Sequence, residues 1–113
     1  MKTFDVKTPY ATYKNCRFIK STYTLGGALA LQIWNDDDGP IATITVNLDV
    51  IDGIGAYGDL SYVDTNNCPW AERLITELGI GEHTDTWGAS GFCVYPLYKF
   101  NLEKIKEYSL VDQ

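Results

Sequence analysis

Apolar residues alternate with polar ones through most of the first half of the chain, and fall on helical spacing in one clear stretch only. Period two is what a strand needs to bury one face, so strands are expected to dominate. Residues 14–24 are rich in β-branched and aromatic side chains and lack Gly and Pro, which predicts a strand. Residues 28–34 place Leu29, Leu31 and Ile33 on one face, and residues 41–48 do the same with Ala42, Ile44, Val46 and Leu48. Between them stand Asn35, Asp36, Asp37, Asp38, Gly39 and Pro40. Asn and Asp bond their own backbone and Gly accepts a positive φ, so a β-hairpin is expected there. Gly26 and Gly27 predict the turn leading into it.

Residues 49–58 read as a Gly-rich loop and residues 59–64 as a short strand carrying Leu60, Tyr62 and Val63. The helical stretch follows. Asn66 and Asn67 are capping types, Pro69 suits a first turn, and Ala71, Leu74, Ile75 and Leu78 lie at i, i+3, i+4 and i+7, so one stripe faces a core. Gly79 is placed to end the helix in the left-handed conformation. Residues 81–90 read as a polar loop. Residues 91–100 read as a strand apolar on both faces, bulged or at an edge near Pro96, which cannot donate to a ladder. Asn101 predicts the cap of a short last helix, with Leu102 and Ile105 inward and Lys104 and Lys106 outward. The fold class predicted is α+β: an antiparallel sheet of about three N-terminal strands plus two later ones, with a main helix and a short C-terminal helix on one face.

The chain has 113 residues, 45% hydrophobic and 21% charged, which fits one globular domain over residues 1–113. No leader and no apolar run of membrane-spanning length is read from it. The three cysteines, Cys16, Cys68 and Cys93, are odd in number and widely spaced. They predict reduced thiols and a cytoplasmic setting. Net charge is −6, unevenly spread. Residues 1–20 carry five basic groups against Asp5, whereas residues 21–98 carry eleven acids against Arg73 alone. Phosphates need Lys and Arg to neutralise them, so direct nucleic-acid binding is not expected. A partner with a basic surface is, although the same charge also serves plain solubility.

The candidate chemistry is sparse. Gly53, Gly55 and Gly58 match a dinucleotide fingerprint, but the residues after them read as a strand, not the helix that must receive the pyrophosphate. Asp36, Asp37 and Asp38 suggest calcium until Gly39 is set at the sixth loop position. The first and twelfth positions then fall on Trp34 and Thr45, which are not ligands. The sole histidine, His83, and the dispersed cysteines have no zinc spacing. Neither metal nor cofactor is therefore expected. Cys68, near a helix start, could form a nucleophile pair with His83 if the fold joined them. Trp87, between Thr86 and Gly88, is the aromatic residue expected to be exposed, either as a binding anchor or folded over a sheet edge.

Two segments, Tyr62-Val63-Asp64-Thr65-Asn66-Asn67-Cys68-Pro69 and Ser90-Gly91-Phe92-Cys93-Val94-Tyr95-Pro96-Leu97-Tyr98-Lys99-Phe100-Asn101, resemble a family of small uncharacterised bacterial proteins, a domain of unknown function. Its members are found in gut Firmicutes and their relatives, often on plasmids and conjugative elements. The resemblance is most specific from about Leu60 to Ile105. It implies a cytoplasmic bacterial protein and supplies no catalytic residues. The functional expectation is a non-enzymatic interaction protein that presents an acidic surface to a basic partner, with a mobile-element accessory or counter-defence protein as its specific form. Trp87, Asp36, Asp37, Asp38, Glu82 and Asp85 are its candidate partner-binding residues. The alternative is a small enzyme or ligand-binding domain using loops 49–58 and 81–90, with Cys68, His83, Asp85 and Tyr57 as its carriers.

Overall fold

Leu29, Leu31, Ile33 and Asn35 alternate inward along a strand whose intervening residues are only partly covered, and the rest of the architecture is arranged around that strand. The computed structural model describes residues 2–48 and 58–109. In chain order the elements are β1 (Phe4–Lys7), β2 (Thr12–Thr22), β3 (Leu29–Asn35), β4 (Gly39–Thr43), β5 (Thr45–Val46), β6 (Leu60–Val63), α1 (Ala71–Leu78), β7 (Gly81–Ser90), β8 (Cys93–Phe100) and α2 (Leu102–Lys106). They form an α+β fold of two antiparallel four-stranded sheets, ordered β1-β2-β3-β4 and β5-β6-β8-β7, with two short helices.

The expected three-stranded meander is therefore a four-stranded sheet, and the two expected later strands belong to a second sheet. The added N-terminal strand, β1, is only four residues long, too short for periodicity to announce it. It joins β2 across a bulge in which Lys14 and Asn15 oppose Asp5. Asn15 takes φ 56°, and its N–H donates to the Asp5 carboxylate at 3.1 Å. The β3–β4 hairpin forms as predicted: Asn35 pairs with Gly39, which has φ 73°.

Residues 41–48 do not keep one face. The chain leaves the first sheet at Ile44 and enters the second. Ile44 N donates to Leu31 O at 3.0 Å, while Ile44 O accepts from Asp64 N at 2.8 Å. Ala42 and Ile44 consequently pack in the main core, whereas Val46 and Leu48 pack in a second cluster with Tyr62, Tyr95 and Leu97. Side-chain hydroxyls serve the backbone at this seam. Thr45 Oγ1 accepts from Leu31 N at 3.1 Å, and the buried Ser61 hydroxyl donates to Leu29 O at 2.7 Å. Buried main-chain polar groups need such partners wherever strand pairing stops.

The main core draws on both sheets and both helices: Phe18, Leu31 and Ile33 from one sheet, Val63 and Phe100 from the other, with Leu74, Ile75 and Ile105 from the helices. The helix begins later than predicted. Asn66 and Asn67 do not cap it, because Asp64 holds the preceding turn, its carboxylate accepting from Asn67 N at 3.1 Å and Asn67 Nδ2 at 2.9 Å. Trp70 occupies the N-cap without a side-chain cap bond, and Gly79 ends the helix at φ 66° as expected. Asn101 caps α2 by accepting from Lys104 N at 3.0 Å. Leu102, predicted inward, is exposed, while Ile105 is buried. Among the described residues no helix is long and apolar enough to cross a membrane.

Candidate protein-binding surface

Residues 81–90, expected as a polar loop, are the ten-residue strand β7, paired with β8 along its length. The register runs from Gly81 opposite Phe100 to Ser90 opposite Cys93, with a bulge between His83 and Thr86. Thr84 and Asp85 form that bulge. Thr84 Oγ1 donates to Leu97 O at 2.8 Å, and Asp85 sits at φ 65°. Gly91 and Phe92 form the two-residue connection, with Gly91 at φ 61°, the conformation a tight hairpin asks of its first central residue. Opposite Pro96, β8 has already lost its β6 neighbour, whose last pair is Tyr62 with Leu97. This is the local edge that a residue without N–H requires.

Paired residues share a face, so one face of this hairpin carries His83 and Tyr98, then Trp87 and Pro96, then Ala89 and Val94. At its base that face is covered. Glu72 of α1 reaches down and accepts from the Tyr98 hydroxyl at 2.5 Å. Burial, then this bond, raises the Tyr98 pKa, so the phenol stays a donor. The His83 ring stands 4.8 Å from Trp87 and 5.2 Å from Tyr98, centroid to centroid. Its Nδ1 accepts from Asp85 N at 2.8 Å and lies 3.8 Å from the Asp85 carboxylate. Neutral His83 therefore carries its proton on Nε2. Further out the face is open: Trp87 is 54% exposed, Val94 59%, and Phe92 at the tip fully so. Phe92 and Val94 belong on sequence to an apolar strand with core on both sides. Here they are surface residues, because the hairpin runs past the helix that covers its base.

The other predicted residues are distributed elsewhere. Glu82 lies on β7 opposite Lys99, one position before His83 and hence on the other face of the hairpin. Asp36, Asp37 and Asp38 form the tip of the β3–β4 hairpin. Asp36 is paired with Arg17 at 2.9 Å, and the Arg17 guanidinium lies 4.2 Å above the Trp34 ring. Asp38 holds the turn, its N–H donating to Asn35 Oδ1 at 2.7 Å and its carboxylate accepting from Asn35 Nδ2 at 3.1 Å. Cys68 is buried, and its thiol donates to Thr43 O at 3.7 Å. Burial, with Asp64 second, pushes its pKa up to about 11. Its partners and those of His83 are separate sets. Tyr57 and the glycine-rich segment, apart from Gly58, lie outside the described residues. Among the described residues no group of three or more His, Cys, Asp or Glu is arranged to hold a metal ion.

A family model described as a domain of unknown function (DUF4313) matches residues 19–112. The chain belongs to this family. The match extends the local resemblance around residues 60–105 back through β3, β4 and most of the outer half of β2, and it takes in the whole aromatic hairpin. No curated protein and no solved structure matches. Family membership thus names no ligand, and the site is read from its own chemistry. Sequence reasoning missed Phe92, Val94, Glu72 and Tyr98 as members of it. Ser90-Gly91-Phe92 was the available signal, since Gly followed by any residue is the composition of a two-residue hairpin turn.

Proposed function

We propose that this protein works by binding another protein through the open face of the β7–β8 hairpin. Trp87 is the anchor and the partner supplies basic side chains. One observation carries the reading: Trp87, Val94 and Phe92 are exposed on one paired hairpin, and the exposed Asp85 carboxylate lies in the bulge that precedes Trp87. Trp is enriched among residues that dominate binding energy, and its ring attracts cations. The Asp85 carboxylate favours the same cation and would speed its approach. An open, exposed strand face offers area to a protein partner, whereas small ligands take concave sites. The Asp36–Asp38 tip has a weaker claim, since Arg17 pairs with Asp36 and covers the neighbouring Trp34 ring, which leaves no open aromatic anchor there. We place the encounter in a bacterial cytoplasm, and a mobile-element accessory that meets a basic host protein is the specific form we favour.

A catalytic reading has less support. Burial keeps Cys68 as a thiol at neutral pH, and thiolate is the nucleophile such chemistry needs.

The test is capture from a bacterial lysate at low salt, with the wild-type chain and Trp87→Ala side by side. A basic protein held by the wild type, released by a salt gradient, and bound about tenfold more weakly by Trp87→Ala is the expected result. Equal capture by both proteins at every salt concentration would sink the reading.

A further inference from the structure

The β7 bulge is held by an imidazole ring. Asp85 stands there at φ 65°, a left-handed conformation that Asp adopts more readily than most residues, though still at a cost. Its N–H donates to His83 Nδ1 at 2.8 Å. Its side chain is almost wholly exposed, with the carboxylate 3.8 Å from the same nitrogen. Nδ1 thus stands between two groups of one residue: a main-chain donor that it accepts from, and an acceptor just beyond hydrogen-bond reach. The ring itself is only 27% exposed, set beside Trp87 and Tyr98 with centroids at 4.8 and 5.2 Å.

A ring nitrogen accepts a hydrogen bond only while it lacks a proton. Histidine is the side chain that changes charge between about pH 5 and 8, and His83 is the only one in the chain. Once protonated, Nδ1 must release the Asp85 N–H and find an acceptor, and the Asp85 carboxylate is the one at hand. The released N–H belongs to an exposed residue, so water can take it. Titratable groups face the ring from each element around it. Asp85 does so from β7, Tyr98 from β8, and Glu72 of α1 from the far end of the Tyr98 hydroxyl bond. Glu82 and Lys99 pair on the opposite face. Both facing carboxylates favour the charged ring, and the Trp87 and Tyr98 rings lie within cation–π range of it.

We propose that His83 is a proton-operated switch built into the Trp87 surface. Neutral, its Nδ1 holds the Asp85 main chain, and the Asp85 carboxylate and the Trp87 ring are open to a basic partner. Protonated, it lets the main chain go, turns its Nδ1–H to the carboxylate, and presents the chain's own cation to Trp87. Acidification thus takes from the partner both groups that favour its cation. The effect on binding rests on the reading of Trp87 as a partner's anchor; the change within the bulge does not.

NMR spectra of the full chain, taken from about pH 8 down to about 5, test the switch without a partner. At the upper end the ring should report a proton on Nε2, and the N–H···N bond should give a nitrogen–nitrogen coupling between Asp85 and His83. That coupling should vanish as the ring protonates, with the Asp85 amide and Trp87 indole signals moving at the same midpoint. Asp85→Asn keeps the main-chain donor and removes the carboxylate, so its midpoint should lie at lower pH. His83→Gln should lose the transition, its other amide signals marking an intact fold. A proton on Nδ1 at the upper end, a ring that stays neutral throughout, or a coupling that outlasts protonation would overturn the proposal. So would an unmoved Trp87 indole, or an unmoved midpoint in Asp85→Asn. Hexa-arginine, followed at the Trp87 indole, then reads the consequence. The wild type should bind it about threefold more weakly when the ring is protonated, and His83→Gln equally at both ends of the range. Equal binding by the wild type would overturn the masking of the surface. Hexa-arginine that never moves the Trp87 indole would count against the partner reading alone, the switch being judged by the coupling.

Discussion

At the scale of single residues, close packing and burial make the sharpest predictions. A Cβ on Gly88 would come within 2.7 Å of the Tyr62 ring and 2.8 Å of Leu48. Gly88→Ala should therefore destabilise by about 1–3 kcal/mol, the usual cost of overpacking, read as a lower midpoint in urea. Burial also raises the thiols of Cys16 and Cys68, each from 9.0 to about 11. The unfolded chain releases these protons near pH 9 and the folded chain only near 11. Their contribution is thus complete below pH 9 and is lost as pH climbs toward 11. The melting temperature should hold steady from pH 7 to 8.5 and then fall. Cys68→Ala, though less stable at pH 7, should show a shallower fall. Asn15 is a residue legible only in hindsight. Nothing local marks it for φ 56°, since the bulge exists to match β1. Asn15→Gly should be neutral or slightly stabilising and Asn15→Val costly by about 1–2 kcal/mol, because only the β-branched residue strains there.

At the scale of elements, the β7–β8 hairpin separates local from long-range information. Strand β8 is readable from its apolar run. Strand β7 carries Gly, Glu, His, Thr, Asp, Ser and Ala with a single large apolar residue, Trp87, so its own composition argues for a loop. It becomes a strand because β8 presents a long unpaired edge and the Gly91-Phe92 turn brings it alongside. β-propensity is a weak guide when a strong neighbour is available. The helix shows the reverse case. Its apolar spacing and its glycine stop are intrinsic, and both are found in place. Its start is displaced because the Asp64 carboxylate takes Asn67 into a turn of its own. Asp64→Ala should free that turn and cost about 1–2 kcal/mol, measured by thermal denaturation, with residues 64–70 showing faster amide exchange.

At the scale of the whole molecule, an open aromatic hairpin sits on a chain of net charge −6. Binding at the hairpin should weaken with salt, read as release of the partner in a salt gradient. The amino-acid sequence by itself determined what short-range physics governs. Alternation along β3, the Asp-rich turn with Gly39, the helical stripe ending at Gly79 and the Asn101 cap all depend on residues a few positions apart. Tertiary structure alone decided the crossing at Ile44, which splits a continuous period-two run between two cores. It also decided the strand state of β7 and the exposure of Phe92 and Val94 beyond the reach of α1. The reason is common to all three. Period two states that a strand has two unlike faces, but which face is covered, and by what, depends on partners tens of residues away.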